Sequence, residues 1–129
     1  MAKIERFEDI EAWKKAREIA QQVYNVTSSG DFARDFGLRD QVQRAAVSIM
    51  ANIAEGFDSG SNREFIRFLG YALRSTTELQ SHLYVALDQG YLDQQGFNAL
   101  FDLTTGCKNL ISGFIRYLRS HPKNLNVEP

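Results

Sequence analysis

The sequence predicts an all-α fold, an antiparallel four-helix bundle running up, down, up, down, and three observations carry that reading. Both prolines, Pro122 and Pro129, fall among the last eight residues, so residues 1–121 lack the residue that most strongly breaks a helix. Gly30, Gly37, Gly56, Gly60, Gly90 and Gly96 gather in three clusters, which divide the chain into four segments as turn residues do. Within each segment apolar residues recur at spacings of three and four, the period of one helix face.

The first helix is expected over residues 9–27, where Trp13, Ala16, Ala20, Val23 and Thr27 share a face and Asp9 stands as its N-cap. Ser28 to Phe36 is rich in Gly, Ser and Asp, and reads as a loop. The second helix, 38–56, carries Leu38, Val42, Ala45, Ile49 and Ile53, with Phe57 near its end. Ser61 and Glu64 have the spacing of a capping box, which sets the start of a third helix over 61–89. Its seam, Phe65, Leu69, Ala72, Thr76, Leu79, Leu83 and Ala86, keeps a heptad rhythm. Asp93 caps a fourth helix, 93–120, whose seam reads Phe97, Leu100, Thr104, Cys107, Ile111, Phe114 and Leu118. Residues 121–129 are polar and end in proline, so a frayed tail is expected. Short loops leave consecutive helices antiparallel, and at 129 residues with 43% hydrophobic content the chain makes one domain, 1–129, around one core.

Composition narrows the setting. Fifteen Lys and Arg against 16 Asp and Glu give a net charge of -1, unlike a dedicated binder of polyanions. The lone Cys107 has no partner for an internal disulfide, and residues 1–10 carry charges where a secretory signal needs an apolar run. A reduced, cytoplasmic location is expected. No apolar run approaches the roughly 18 residues of a membrane span, so a soluble protein with no membrane contact is expected.

The residue inventory offers no catalytic or metal constellation. A di-iron bundle needs Glu-x-x-His on two helices, whereas the two histidines here are His82, four residues after Glu78, and His121 in the tail. Glu78 and His82 read as a surface pair. Cys107 lies mid-seam, where a free cysteine behaves as a small hydrophobe. The glycines from Gly56 to Gly60 follow a helix and lack the Lys-Ser or Lys-Thr ending of a phosphate cradle. The chain is therefore expected to use no cofactor and to be no enzyme.

Three sets of residues remain as candidate sites. Arg44, Ser48, Asn52 and Glu55 form a polar row on the second helix, facing Glu64, Arg67, Ser75 and Glu78 on the third. With the turn centred near Ser59, Arg44 is expected level with Ser75 and Glu78 and to reach Glu78 or a neighbouring polar group on the third helix, making the row a structural network; a binding groove is the alternative. Arg63, Arg67 and Arg74 share a face of the third helix, and Lys108, Arg116, Arg119 and Lys123 lie in a stretch from Leu103 to Val127 that holds no acid. Such a patch suits contact with RNA or DNA phosphates. Finally Ala12, Ile19 and Val26, with Leu103, Leu110 and Tyr117, make second apolar rows that predict a homo-oligomer interface.

The run Gly37-Leu38-Arg39-Asp40-Gln41-Val42-Gln43-Arg44-Ala45-Ala46-Val47-Ser48-Ile49, followed by Asn52-Ile53-Ala54-Glu55-Gly56, resembles the signature of the bacterial four-helix-bundle proteins first noted in intervening sequences of 23S ribosomal RNA genes. Trp13, Ala16 and Tyr24, then Ser61, Glu64-Phe65, Phe68-Leu69, Ser75, Glu78-Leu79 and Gly90-Tyr91, fall where that family has similar residues, and the likeness runs from about Phe7 to Leu118. The resemblance implies a ring-like homopentamer. A related branch, the accessory variability determinants of diversity-generating retroelements, partners a reverse transcriptase and binds nucleic acid. The net charge favours an oligomeric adaptor or scaffold for a protein partner; the alternative is a nucleic-acid-binding accessory protein that uses a basic rim built by ring symmetry.

Overall fold

The computed structural model describes residues 2–122 and 126–129. Its elements run β1 (Ala2–Lys3), a 3₁₀ turn (Phe7–Asp9), α1 (Glu11–Thr27), α2 (Gly30–Arg34), α3 (Phe36–Asp58), α4 (Asn62–Asp88), α5 (Gln94–Ser120) and β2 (Val127–Glu128). The four long helices close a square in which α1 packs on α3 and α5, and α4 packs on the same two. The all-α bundle read from the sequence is the fold. Every residue of the predicted third and fourth seams is buried, from Phe65 to Ala86 and from Phe97 to Leu118. The seam threonines Thr27, Thr76 and Thr104 are buried without orphaned hydroxyls, each donating to a carbonyl of its own helix (Val23, Leu73 and Leu100) at 2.6–2.8 Å.

The loops depart from expectation in detail. The stretch read as loop between the first two helices contains the single turn α2, which buries Phe32 against Tyr91 with ring centroids 5.2 Å apart. Asp35 then starts α3 two residues earlier than predicted, one carboxylate oxygen accepting from the Leu38 amide at 3.2 Å and the other from the Tyr91 hydroxyl at 2.9 Å. The capping box at α4 is half formed: Ser61 Oγ accepts from the Glu64 amide at 3.1 Å, while the Glu64 carboxylate turns to Arg67 instead. Gly60, at φ +74°, makes the tight entry that a side chain would strain. Asp93 caps α5 as expected, accepting from the Gly96 amide at 2.7 Å.

The chain ends overturn two expectations. Asp9 does not cap α1; its carboxylate turns back to accept from the Glu5 and Arg6 amides, and the N-cap position falls to the apolar Ile10. The tail is not frayed where residues 126–129 are described. Val127–Glu128 pairs antiparallel with Ala2–Lys3, adding a two-residue ladder to a fold read as strand-free. Glu128 supplies the missing cap: its two oxygens accept from the Glu11 and Ala12 amides at 2.8 and 3.3 Å, at the positive end of the α1 dipole. No local pattern announces this contact, because its partners are 117 and 116 positions apart.

Where α3 meets α4, an added Cβ on Gly56 would stand 2.8 Å from Phe68 Cβ and 3.3 Å from the Phe65 carbonyl. Gly56→Ala is therefore expected to force the helices apart and to cost about 1–3 kcal/mol as overpacking does, measured as a lower urea midpoint. Glu128→Ala is expected to cost about 1–2 kcal/mol through the lost cap. Burial raises the Glu128 carboxyl above its ordinary 4.5, only partly opposed by the two amides it accepts from. The folded chain thus holds this proton to higher pH than the unfolded chain, and the stability so gained is full below 4.5 and fades as pH rises through the folded value. Wild type should gain on Glu128→Gln as pH falls from about 7 toward 4.5; urea melts showing a constant gap would refute it.

Candidate functional site

The predicted polar row splits in two. Ser48 and Ser75 face each other across the α3–α4 seam with hydroxyls 2.9 Å apart, and Asn52 donates to the Ser48 carbonyl and hydroxyl at 2.8 and 3.0 Å. Ser75 also donates back to the Tyr71 carbonyl at 3.2 Å. Arg44 is not brought to Glu78. Ser48, one turn further along α3, takes the place level with Ser75, and Arg44 is exposed, lining instead a hollow of 310 Å³ with Tyr24, Asp40, Gln43 and Val47. Glu55 is exposed too, and Glu64 pairs within its own helix with Arg67 at 2.7 Å. Glu78 lies 3.4 Å from His82 Nε2, the pair read from their spacing. The charged ends of the row turn outward because, at 3.6 residues per turn, the two steps of four carry Ser48 and Asn52 round from Arg44 while the step of three brings Glu55 back to its side.

The basic residues gather more usefully. Between α4 and α5 runs a groove of 390 Å³ whose floor is Ile66, Gly70, Leu73 and Ile115, with Ser112 alongside and Arg74, Arg116 and Arg119 on its rim. No carboxylate lines it, and none of the three arginines has an ion-pair partner among the described residues. Beyond one end of the groove the two helices are joined by hydrogen bonds, Gln80 to Thr105 Oγ1 at 2.8 Å and Lys108 to Thr77 Oγ1 at 3.0 Å. Lys108 is thereby spent on the seam. Arg63 is exposed and does not line the groove, and Lys123 lies outside the described residues. On the open face of α4, Arg67 and Arg74 flank Tyr71 at 5.7 and 5.9 Å from the ring centroid, and Arg67 also lies over Phe68 at 5.4 Å. The floor residues escaped the sequence reading, although Gly70 signalled them: it stands inside a heptad-patterned helix, where no turn explains it.

The predicted oligomer rows need correction. Ala12 and Ile19 are fully buried and Tyr117 is 9% exposed, all three inside the core, while Val26 and Leu103 pack against it from its edge. A bundle helix touches two neighbours, so its buried face is wider than one seam and absorbs the second row. Leu110, 38% exposed, is the member left outward. Apolar surface also lies along α1 and α3. Phe7, Trp13, Val47, Met50, Ala51 and Ala54 enclose a wholly apolar hollow of 290 Å³, which meets the Arg44 hollow at Val47, and Tyr24 and Phe36 are 48% and 63% exposed.

Cys107 sits in the core with its thiol donating to the Ala12 carbonyl, and burial pushes its pKa up to about 12. A thiol so protonated is no nucleophile at neutral pH. Among the described residues no three His, Cys, Asp or Glu side chains come together as a metal site, and no helix is long and apolar enough to cross a membrane.

These features define an all-α helical-bundle protein with two surface seams, one apolar and one rimmed by arginine. The chain belongs to the 23S rRNA-intervening sequence protein family, whose model matches residues 8–113. It is also similar to the crystal structure of a protein with unknown function from the S23 ribosomal protein family of Bacteroides thetaiotaomicron, at 23% identity and a TM-score of 0.74, over 81% of this chain and 98% of that one. At that identity the likeness speaks to fold. No curated protein matches the chain significantly.

The split row gives a direct comparison. Asn52→Ala, which removes two hydrogen bonds across a half-buried site, should cost about 1 kcal/mol, whereas exposed Arg44→Ala should stay within about 0.5 kcal/mol. Urea midpoints in the reverse order would show that Arg44, not the Ser48–Ser75–Asn52 cluster, holds the seam.

Proposed function

We propose that the protein is a non-enzymatic, oligomeric adaptor or scaffold of the cytoplasm that holds a protein partner on its α4–α5 face. The observation that carries this reading is the groove there, where three arginines without ion-pair partners among the described residues stand over an aliphatic floor. Charges left unpaired beside apolar surface are what an interface of mixed apolar and ionic character requires of one of its two sides. The assembly we propose is the homopentamer implied by the family resemblance. Its interface is the α1–α3 seam rather than the rows first read from the sequence, since an apolar hollow that includes exposed Val47, on a seam that also exposes Tyr24 and Phe36, suits a second copy of the chain. A ring would repeat the groove in every subunit and multiply weak contacts into avid ones.

A second reading has its own observation. Tyr71, between Arg67 and Arg74 on an exposed helix face, offers a base-stacking ring next to phosphate-binding groups, which would suit the nucleic-acid role of the retroelement branch. The net charge of -1 supplies no field to gather a polyanion, so the adaptor stands first.

Light scattering is expected to give a mass of about five times 14.7 kDa, and Val47→Glu to release smaller species; a wild-type monomer at micromolar concentration would overturn the oligomer. Tagged protein from its host is expected to carry a recurrent protein partner that Arg74→Glu with Arg116→Glu loses, and the absence of any such partner would count against the adaptor. Binding of RNA or DNA that weakens steeply with salt and falls in Arg67→Ala with Arg74→Ala would promote the second reading.

A further inference from the structure

We infer that the α4–α5 groove receives an acidic amphipathic helix of the partner protein, an inference that rests on the adaptor reading and names the partner's chemistry. The floor asks for an aliphatic stripe, since Ile66, Leu73 and Ile115 line it. The rim asks for carboxylates on both flanks of that stripe, since α4 contributes Arg74 and α5 contributes Arg116 and Arg119, with no acid among the lining residues. A charge-bearing helix with one apolar face supplies both at once.

Gly70 makes a close main-chain approach the better fit. It lies inside α4, where glycine is less stable than alanine, and nothing stands within 4 Å of the position its Cβ would take. Neither the fold's own packing nor a positive φ requires it there. The gap opens into the groove, where an incoming helix can nest between two helices as ridges nest into grooves. From Ile66 to Arg74 the floor is about 12 Å long at about 1.5 Å per residue, room for two turns, so the partner's contacts follow an i, i+3 or i+4, i+7 pattern. A nucleic acid fits less well, because no aromatic ring lines the groove to stack a base.

The test uses the full-length protein and three labelled probes in fluorescence anisotropy. Two are helical peptides of about 14 residues with identical leucine spacing, one flanked by Glu and one by Lys; the third is a single-stranded RNA. The Glu peptide is expected to bind at micromolar concentration and the Lys peptide at least about tenfold more weakly. Arg116→Glu with Arg119→Glu should weaken the Glu peptide by about tenfold or more, and Gly70→Leu, whose side chain enters open space, should abolish its binding without lowering Tm. Equal binding of the two peptides, no binding of either, or unchanged binding by both variants would overturn the inference. So would RNA bound in place of peptide and lost in the same variants. A partner that still co-purifies with Gly70→Leu would leave the adaptor standing while this groove assignment fell; the absence of any partner would remove the adaptor itself.

Discussion

Because Gly56 has no side chain, the backbone of α3 can lie against Phe65 and Phe68, and this close approach decides how α4 is shared between its two neighbours. Held tightly to α3, the helix places Ser75 within hydrogen-bond reach of Ser48 and turns its other flank to α5. There the contact is uneven. Gln80 and Lys108 join the helices by hydrogen bonds, and Tyr84 packs on Phe97 and Phe101. Toward the start of α4, the inner rings of Phe65 and Phe114 meet 5.1 Å apart while the outer residues stand clear of one another. The arginine-rimmed groove is the outer side of that unevenness.

Much of this architecture was legible because heptad and three-four periodicities report burial directly. Thr76 and Thr104 fell on the seams by spacing alone and are buried there. Azimuth was harder to read: Arg44, Ser48, Asn52 and Glu55 look like one row, yet the two steps of four turn Ser48 and Asn52 toward the seam, where they are half-buried, while the step of three returns Glu55 to the exposed side with Arg44. Ala12, Ile19 and Tyr117 were misassigned for a related reason, since a second apolar row on a bundle helix belongs first to the second neighbour. The groove required knowledge of which outer residues of α4 and α5 lie side by side, which neither helix carries alone. The Glu128 cap is a long-range pairing, visible only once the fold has brought residue 128 beside α1.

The ion pairs that do form share a local character. Arg6 with Asp9, Lys14 with Glu11, Arg34 with Asp31 and Arg67 with Glu64 join residues three apart at the surface, and pairs of that kind contribute little to stability. The bundle is therefore held by its apolar seams, its caps and a few hydrogen bonds between helices rather than by surface ion pairs. This explains how a chain of net charge -1 can concentrate basic residues on one flank without weakening its fold.

The contact between Glu128 and the first turn of α1 joins residues 117 positions apart. Closing so long a loop in an open chain costs entropy that grows with the logarithm of its length, more than one carboxylate and a two-residue ladder return. The helices must first carry the two ends together, with α5 laid along α1, and the strand pair then closes as a local step. Shelter from solvent exchange of the Ile4 amide, which donates to the Asn126 carbonyl at 2.6 Å, and of the Glu11 amide consequently marks the last stage of folding, and the order in which amides become protected would read out when the bundle is complete.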